Sequence, residues 1–377
     1  MADIFDYLKW RGNLSLDAVP ASAEDYLVFS LLAYCPFEEL SGDDWKGTPL
    51  RELQDRIFLD NQPANHWHWW ESVLMLWRRL PQYPRFADVR LADFVYEFDA
   101  QKPMQFAAAV FRTPCGTIAA FRGTDLSVTG WKENFMLGYS VPVPGQTAAV
   151  SLINSLPADC GRIAVCGHSK GGNLAMYGAV YAEDASRIDG VYNFDGPGMD
   201  DKTLVSDRWK RMLPLIHSYI PQSSVIGLLL GYVTHYVTVA AAAPVTLMQH
   251  DAFLWQFDGP RFKVLRDVTP SSSLINRALH DFFESCTQEQ LTTLCTALNK
   301  LLDASHAERV DKLIQNSIIH LPQIIAAEHS FSPEETAILR QLRSLFIENS
   351  LSNIMLRVQL AKAKRRMKKT DDTDDRQ

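Results

Sequence analysis

No uncharged apolar stretch in this 377-residue sequence approaches the roughly 20 residues that a membrane-spanning helix needs. The longest candidate, residues 225–243, is interrupted by Tyr232, Thr234, His235 and Tyr236 and alternates as a buried strand does. The opening residues Met1-Ala2-Asp3-Ile4-Phe5-Asp6 lack the basic start and apolar run of a signal peptide, so the expected setting is soluble and cytoplasmic. Six cysteines, at 35, 115, 160, 166, 286 and 295, show neither the regular spacing of a disulfide framework nor paired C-x-x-C zinc ligands. Free thiols in a reducing compartment are the simpler expectation. Positive charge is also short: the formal net charge is −7, and no long basic groove exists outside the C-terminal end. That excludes a general polyanion-binding surface, and with it nucleic acid as a partner. Internal repeats and extended low-complexity regions are absent.

What the chain does have is apolar mass, 47% of residues with 11% aromatic, enough for a sizeable buried core. It also has Cys166-Gly167-His168-Ser169-Lys170-Gly171-Gly172-Asn173-Leu174, a serine with glycine two positions away on each side. Residues 162–166 read as a short apolar strand and residues 173–181 as an Ala/Met/Leu helix. Strand, sharp turn and helix are the order a nucleophile elbow requires. Side chains at Gly167 or Gly171 would collide with the neighbouring strand or helix.

Along the chain, residues 1–100 read as mainly helical. Ser22-Ala23-Glu24-Asp25 caps the apolar run 26–33, and Pro36 is expected to end that helix. A Trp-rich segment runs from Asn65-His66-Trp67-His68-Trp69-Trp70-Glu71 to Leu80, closed by Pro81. His66 and His68, two apart, fall on different faces of a helix, so packed aromatics over the sheet or an active-site lid are expected there, not a metal pair. Residues 106–112 and 117–122 form a hairpin through Thr113-Pro114-Cys115-Gly116. Alternating strands and helices follow, with strands at 190–194 and 215–220, which implies a mostly parallel sheet with helices on both faces. A last β pair, 253–257 and 262–266, is split by Asp258-Gly259-Pro260. The expected division is a domain over 1–270, a helical region over 271–361 and a charged tail over 362–377. In the helical region Thr287 to Gln290 and Ser332-Pro333-Glu334-Glu335 read as capping boxes. The tail carries six basic residues in eight between Lys362 and Lys369, then four aspartates; a solvated tail is the favoured reading, with weak contact to anionic lipid the alternative.

A serine hydroxyl is a poor nucleophile near neutral pH and needs a base and oxyanion donors. Phe121-Arg122-Gly123-Thr124-Asp125 ends a strand at a loop, where the N–H and hydroxyl of Thr124 can face an oxyanion. Lys170 supplies a second backbone N–H at the start of the elbow helix. Downstream of Ser169, His217 and His235 fall in apparent strands, and His280, His306, His320 and His329 in the helical region. His250, in Leu247-Met248-Gln249-His250-Asp251, sits in a polar loop where the base is expected.

Phe121-Arg122-Gly123-Thr124, Trp131, Asn134-Phe135, the Ser169 motif, Asn193-Phe194-Asp195-Gly196-Pro197-Gly198, and His250 with Trp255 together resemble the class 3 (fungal-type) lipases. With the opening Asp6-Tyr7-Leu8-Lys9-Trp10-Arg11-Gly12, the chain looks more like a bacterial branch of lipase-like α/β hydrolases. The resemblance covers roughly residues 1–270 and implies an α/β-hydrolase fold. It further implies Ser169 as nucleophile, His250 as base, and Thr124 with Lys170 as oxyanion donors. No cofactor is expected. The pattern departs at the acid. In those lipases it follows the strand after the Gly-Pro-Gly-like turn, but here Ile220-Pro221-Gln222-Ser223-Ser224-Val225 has no carboxylate. Three arrangements stay open: Asp195 reaches over from the preceding strand, although it is equally suited to cap the turn; Gln222 or Ser223 holds the histidine as a neutral acceptor; or the site no longer hydrolyses. Asp251 is poorly placed to orient the ring of its own neighbour.

The leading expectation is a serine hydrolase cleaving a carboxylic ester, an acyl lipid among the candidates. The rival is a hydrolase-fold binding or scaffold protein. Acyl transfer to another acceptor and amide cleavage share the same motifs.

Overall fold

A computed structural model describes residues 2–57, 69–230, 235–243, 247–304, 309 and 331–344. Nine strands form one sheet in consecutive spatial order. They are β1 (Thr48–Pro49), β2 (Arg90–Asp99), β3 (Met104–Thr113), β4 (Gly116–Phe121), β5 (Ile163–His168), β6 (Ile188–Phe194), β7 (Ile216–Pro221), β8 (Tyr236–Val239) and, after a small separate hairpin of β9 (Phe257–Asp258) and β10 (Arg261–Phe262), the edge strand β11 (Val264–Leu265). The five strands β4 to β8 are mutually parallel, and antiparallel strands flank them on both sides.

Because the parallel strands advance in one direction, right-handed crossovers place their connecting helices on one face. There α7 (Pro144–Ser155), α8 (Lys170–Tyr181) and α10 (Asp207–Met212) pack on the sheet. The other face must be covered by something else, and the first hundred residues do it with α1 (Ile4–Arg11), α2 (Ala23–Leu32), α3 (Leu50–Leu53), α4 (Trp70–Arg79) and α5 (Pro84–Ala87). Strand alternation feeds both cores: Ile163 and Val165 face the first layer, while Ala164 and Cys166 face the second. Helix α6 (Val128–Met136) lies between β4 and α7, and the short α9 (Asp201–Val205) precedes α10. This is the α/β-hydrolase arrangement, with Ser169 in the turn that leaves the central strand β5.

The opening motif is explained by a buried polar clamp. The Tyr7 hydroxyl donates to Asp25 at 2.6 Å, and Arg85 grips the same carboxylate through Nε and a terminal nitrogen at 2.6 and 2.5 Å. Its remaining N–H groups reach the carbonyls of Leu14, Val19 and Pro20. A buried charge pair with every donor used is the condition under which burial is tolerated.

Beyond the sheet, α11 (Pro270–Ser285), α12 (Gln288–Ala304) and a helix at 333–344 surround a small core of Phe282, Leu294 and Ile338. Both expected capping boxes form: Gln290 accepts the Thr287 N–H at 2.8 Å, and Glu335 accepts that of Ser332 at 2.9 Å. Among the described residues no helix is long and apolar enough to cross a membrane.

Three expectations need correction. The region 1–100 is not wholly helical, since β1 and the ten-residue β2 lie within it. Phe94, Tyr96 and Phe98 alternate along β2, a strand period, and β3 pairs with it from end to end. The run 225–243 is strand only over Tyr236–Val239 among its described residues. The final β pair turns at Gly259, φ 58°, as expected, but its strands are only two residues long and a 3-10 turn at Ala252–Leu254 stands where the first strand was expected to begin. His66, His68, His306, His320 and His329 lie outside the described residues, as does the tail from Lys362 through Lys369.

Candidate active site

Ser169 takes φ 59° and ψ −134° between β5 and α8, a conformation that costs a non-glycine residue energy and that sharp elbow turns impose. The flanking glycines make the turn possible. A Cβ on Gly167 would sit 2.1 Å from the Gly171 backbone, and one on Gly171 would sit 2.0 Å from the Phe121 carbonyl oxygen. The Ser169 N–H bonds the Phe194 carbonyl at 2.9 Å, which locks the elbow to β6. Ser169 itself is partly exposed, unlike the residues on both sides of it.

Next to it, β6 is followed by Asp195, again with positive φ, 51°, and its N–H is held by the Tyr219 carbonyl of β7 at 2.8 Å. The turn directs the carboxylate inward to 1% side-chain exposure, where Oδ2 lies 2.7 Å from Nδ1 of His250. The other oxygen, Oδ1, accepts from the Ser224 hydroxyl at 2.5 Å and from the Gly227 N–H at 3.1 Å. A carboxylate only accepts, so the ring proton belongs on Nδ1 and the Nε2 lone pair is left available. Asp195 is therefore the group beside His250. Gln222 and Ser223 are not: the Ser223 N–H donates to Gln249 at 2.9 Å, and Ser223 Oγ meets Thr269 at 3.2 Å. Asp251 accepts its near neighbour's Phe253 N–H at 2.9 Å. No hydrogen bond joins the Ser169 hydroxyl to His250 among the described residues, a contact that resting enzymes commonly complete only with substrate.

The Gly123-Thr124 segment borders Ser169. A Cβ on Gly123 would lie 3.0 Å from the Ser169 Cβ. The Thr124 hydroxyl donates to the Asn134 side chain at 2.8 Å, so its proton is committed in this arrangement. Lys170 opens α8, where first-turn N–H groups have no intrahelical acceptor. Arg122 pins this loop to the end of α2, donating to the carbonyls of Ala33 and Cys35 and to both oxygens of Glu38.

Two arrangements at this site escape sequence reasoning. The Lys170 side chain is buried, with Nζ 2.6 Å from Glu133 Oε2, 2.5 Å from the Gln105 carbonyl and 3.0 Å from Gln105 Oε1. Glu133 in turn accepts from the N–H groups of Gly145 and Gln105 at 2.7 and 3.1 Å. The signal available in sequence is a lysine inside an otherwise apolar, Gly-rich helix start. The second arrangement is His168, fully buried between Tyr34 and His250. Burial holds its imidazole well below the ordinary value of 6.5, and the nearby His250 ring pushes the same way. Trp69, from the Trp-rich segment, is edge-on to both histidine rings with centroids 5.9 and 6.4 Å away. Among the described residues no group of three or more His, Cys, Asp or Glu is arranged to hold a metal ion.

No curated protein matches this sequence. Among solved structures, the crystal structure of M37 lipase is similar over 55% of this chain and 70% of its own, at 15% identity and a TM-score of 0.37. A likeness that weak carries no argument, and the fold rests on the strand order above. The model of the Mbeg1-like family matches residues 80–300, a span that holds Ser169, Asp195 and His250 and more than half of the chain. The chain belongs to the Mbeg1-like family, a lipase-like family.

Proposed function

We propose that this chain is a serine hydrolase that cleaves a carboxylic ester through an acyl-enzyme on Ser169, with acyl lipids the favoured substrate class. The observation that carries this reading is the 2.7 Å contact between the buried Asp195 carboxylate and His250 Nδ1, one strand over from a serine held in an elbow. His250 Nε2 takes the Ser169 proton as Oγ attacks the acyl carbon. The N–H groups of Thr124 and Lys170 hold the oxygen that becomes negative, each worth about 3 kcal/mol in comparable sites. His250 then returns the proton to the departing alkoxide, and water repeats the sequence in reverse to free the acid. Asp195 keeps the ring in the tautomer that can accept and stabilises the imidazolium that forms. The rival reading, a hydrolase fold retained for binding, drew its support from the absence of a carboxylate after β7. Asp195 beside His250 speaks against it.

The test is labelling with a fluorophosphonate probe and turnover of p-nitrophenyl esters of increasing chain length. Wild type should label and turn over, with Ser169→Ala silent in both and His250→Ala reduced by several powers of ten. Equal labelling of wild type and Ser169→Ala would refute the proposal.

A further inference from the structure

We propose that His168 is a positioning residue for this site, a rigid spacer that sets where the base-bearing turn stands relative to the serine-bearing strand. The proposal rests on the acyl-transfer reading above. His168 is the last residue of β5 and the residue immediately before Ser169. Its ring is fully buried, with Nε2 2.7 Å from the main-chain carbonyl of His250 and Nδ1 3.1 Å from the Tyr34 hydroxyl. A carbonyl oxygen only accepts, so Nε2 carries the proton and Nδ1 receives the Tyr34 O–H. With both nitrogens engaged, a flipped ring would present C–H groups to both partners. Rotation is therefore opposed from each end.

The near end of this spacer is one peptide from the nucleophile, and the far end is the base's own backbone. The turn that carries His250, a 3-10 element at Leu247–His250, is otherwise tied through Gln249, which binds the Ser223 N–H and the Ala243 and Trp255 groups. Those ties hold the residue before His250. The His168 bond acts on His250 itself. Ring centroids of the two histidines are 4.7 Å apart, so a shift of the turn would move the base directly.

The ring's two ends can be tested separately in the full chain. His168→Gln keeps an N–H donor near the position of Nε2, while His168→Asn keeps an acceptor near Nδ1 and loses reach to His250. Readouts are kcat and KM on a p-nitrophenyl ester, the fluorophosphonate labelling rate, thermal melting, and the NMR signal of the His250 Nδ1 proton. Misplacement of a catalytic group by about 1 Å costs about 100-fold, so His168→Asn should lose kcat and labelling on that scale at unchanged KM, with His168→Gln within about fivefold of wild type. The His250 proton signal should move in the Asn variant and stay in the Gln variant. If the Asn variant melts as wild type and labels within about threefold of it, the proposal is overturned. If both variants lose activity alike, it is likewise overturned. Where His168→Asn fails to fold, Tyr34→Phe takes its place, with a drop of about tenfold expected and no drop refuting. Should wild type not label at all, the acyl-transfer reading falls, and the NMR comparison alone decides whether His168 places His250.

Discussion

Replacing Asp195 by asparagine tests the site most sharply, because all three neighbours of this carboxylate approach it as donors. Oδ1 receives the Ser224 hydroxyl and the Gly227 N–H, and Oδ2 receives His250 Nδ1–H. An amide offers one accepting oxygen and one NH2 group, which can only donate. With its oxygen toward His250, its NH2 faces the Gly227 N–H at about the present 3.1 Å, and a backbone donor cannot turn away. With its oxygen toward Gly227 and Ser224, its NH2 faces His250, and the clash is relieved by moving the ring proton to Nε2. The second arrangement is cheaper, and it removes the lone pair that must accept the Ser169 proton. The same amide substitution at an established triad lowers turnover by about four powers of ten, near 5.5 kcal/mol of barrier. Asp195→Asn should therefore lose about 10⁴ in kcat on a p-nitrophenyl ester, with KM and melting temperature little changed. A loss below about tenfold, beside an inactive Ser169→Ala, would refute the assignment of Asp195.

Three further outcomes follow from the contacts. Gly171→Ala places a Cβ 2.0 Å from the Phe121 carbonyl oxygen, so α8 must slide off β4 at a cost of about 2 kcal/mol or more, and an unchanged urea midpoint would contradict the close packing. Lys170→Met strands the buried Glu133 carboxylate, for an expected loss of about 3–5 kcal/mol, part of which Glu133→Gln in the same chain should restore; a double-mutant cycle in urea that shows simple additivity would refute the coupling. Burial lowers the pKa of His168 from 6.5, so below that pH the unfolded chain binds a proton that the folded chain does not. Stability should fall as pH drops through 6.5 by up to about 1.4 kcal/mol per pH unit from this group, a slope that His168→Gln lacks, and parallel stability curves for the two proteins would refute it.

What the sequence disclosed follows from how local each signal is. The elbow is legible because backbone strain at Ser169 demands glycine at fixed offsets, and the capping boxes at Thr287 and Ser332 are legible because both partners lie within one turn. The strands β5, β6 and β7 announce themselves by apolar runs between breakers. β2 carries the alternation Phe94, Tyr96, Phe98 but no apolar run, and with Tyr96 and Phe98 43% exposed the burial that usually accompanies such a period is missing. The acid is harder still. Which of two neighbouring loops reaches His250 depends on where each strand stops, and at the reversal after β6, where Asp195 has positive φ, a Cβ on Gly196 would lie 2.4 Å from the Ser169 carbonyl oxygen, a closeness that only the fold reveals. The Lys170 and Glu133 pair spans 37 positions, and the His168 and Tyr34 pair 134, distances over which a single sequence carries no contact information.

The same limit governs the expected boundary near residue 270. Composition changes there from mixed α/β to helical, but composition reports local structure and is silent on what each helix touches. The Thr269 N–H bonds the Gln222 carbonyl at 2.6 Å, and from the first turns of α11 Ser272 and Asn276 both donate to the carbonyl of Ser224, the residue whose hydroxyl holds Asp195. On the opposite side of the site, α12 lies on α6 through Cys295 and the Phe135 carbonyl, and Lys132 reaches Asp303. That exposed ion pair contributes little on its own, about 0–1 kcal/mol. The packing matters more, because α6 carries both Glu133, which anchors Lys170, and Asn134, which fixes Thr124. The helices after 270 thus touch both Ser224, whose hydroxyl holds Asp195, and α6, whose Asn134 holds Thr124. The change in composition at 270 is therefore crossed by hydrogen bonds, from Thr269, Ser272 and Asn276 to the loop after β7 and from Cys295 to α6.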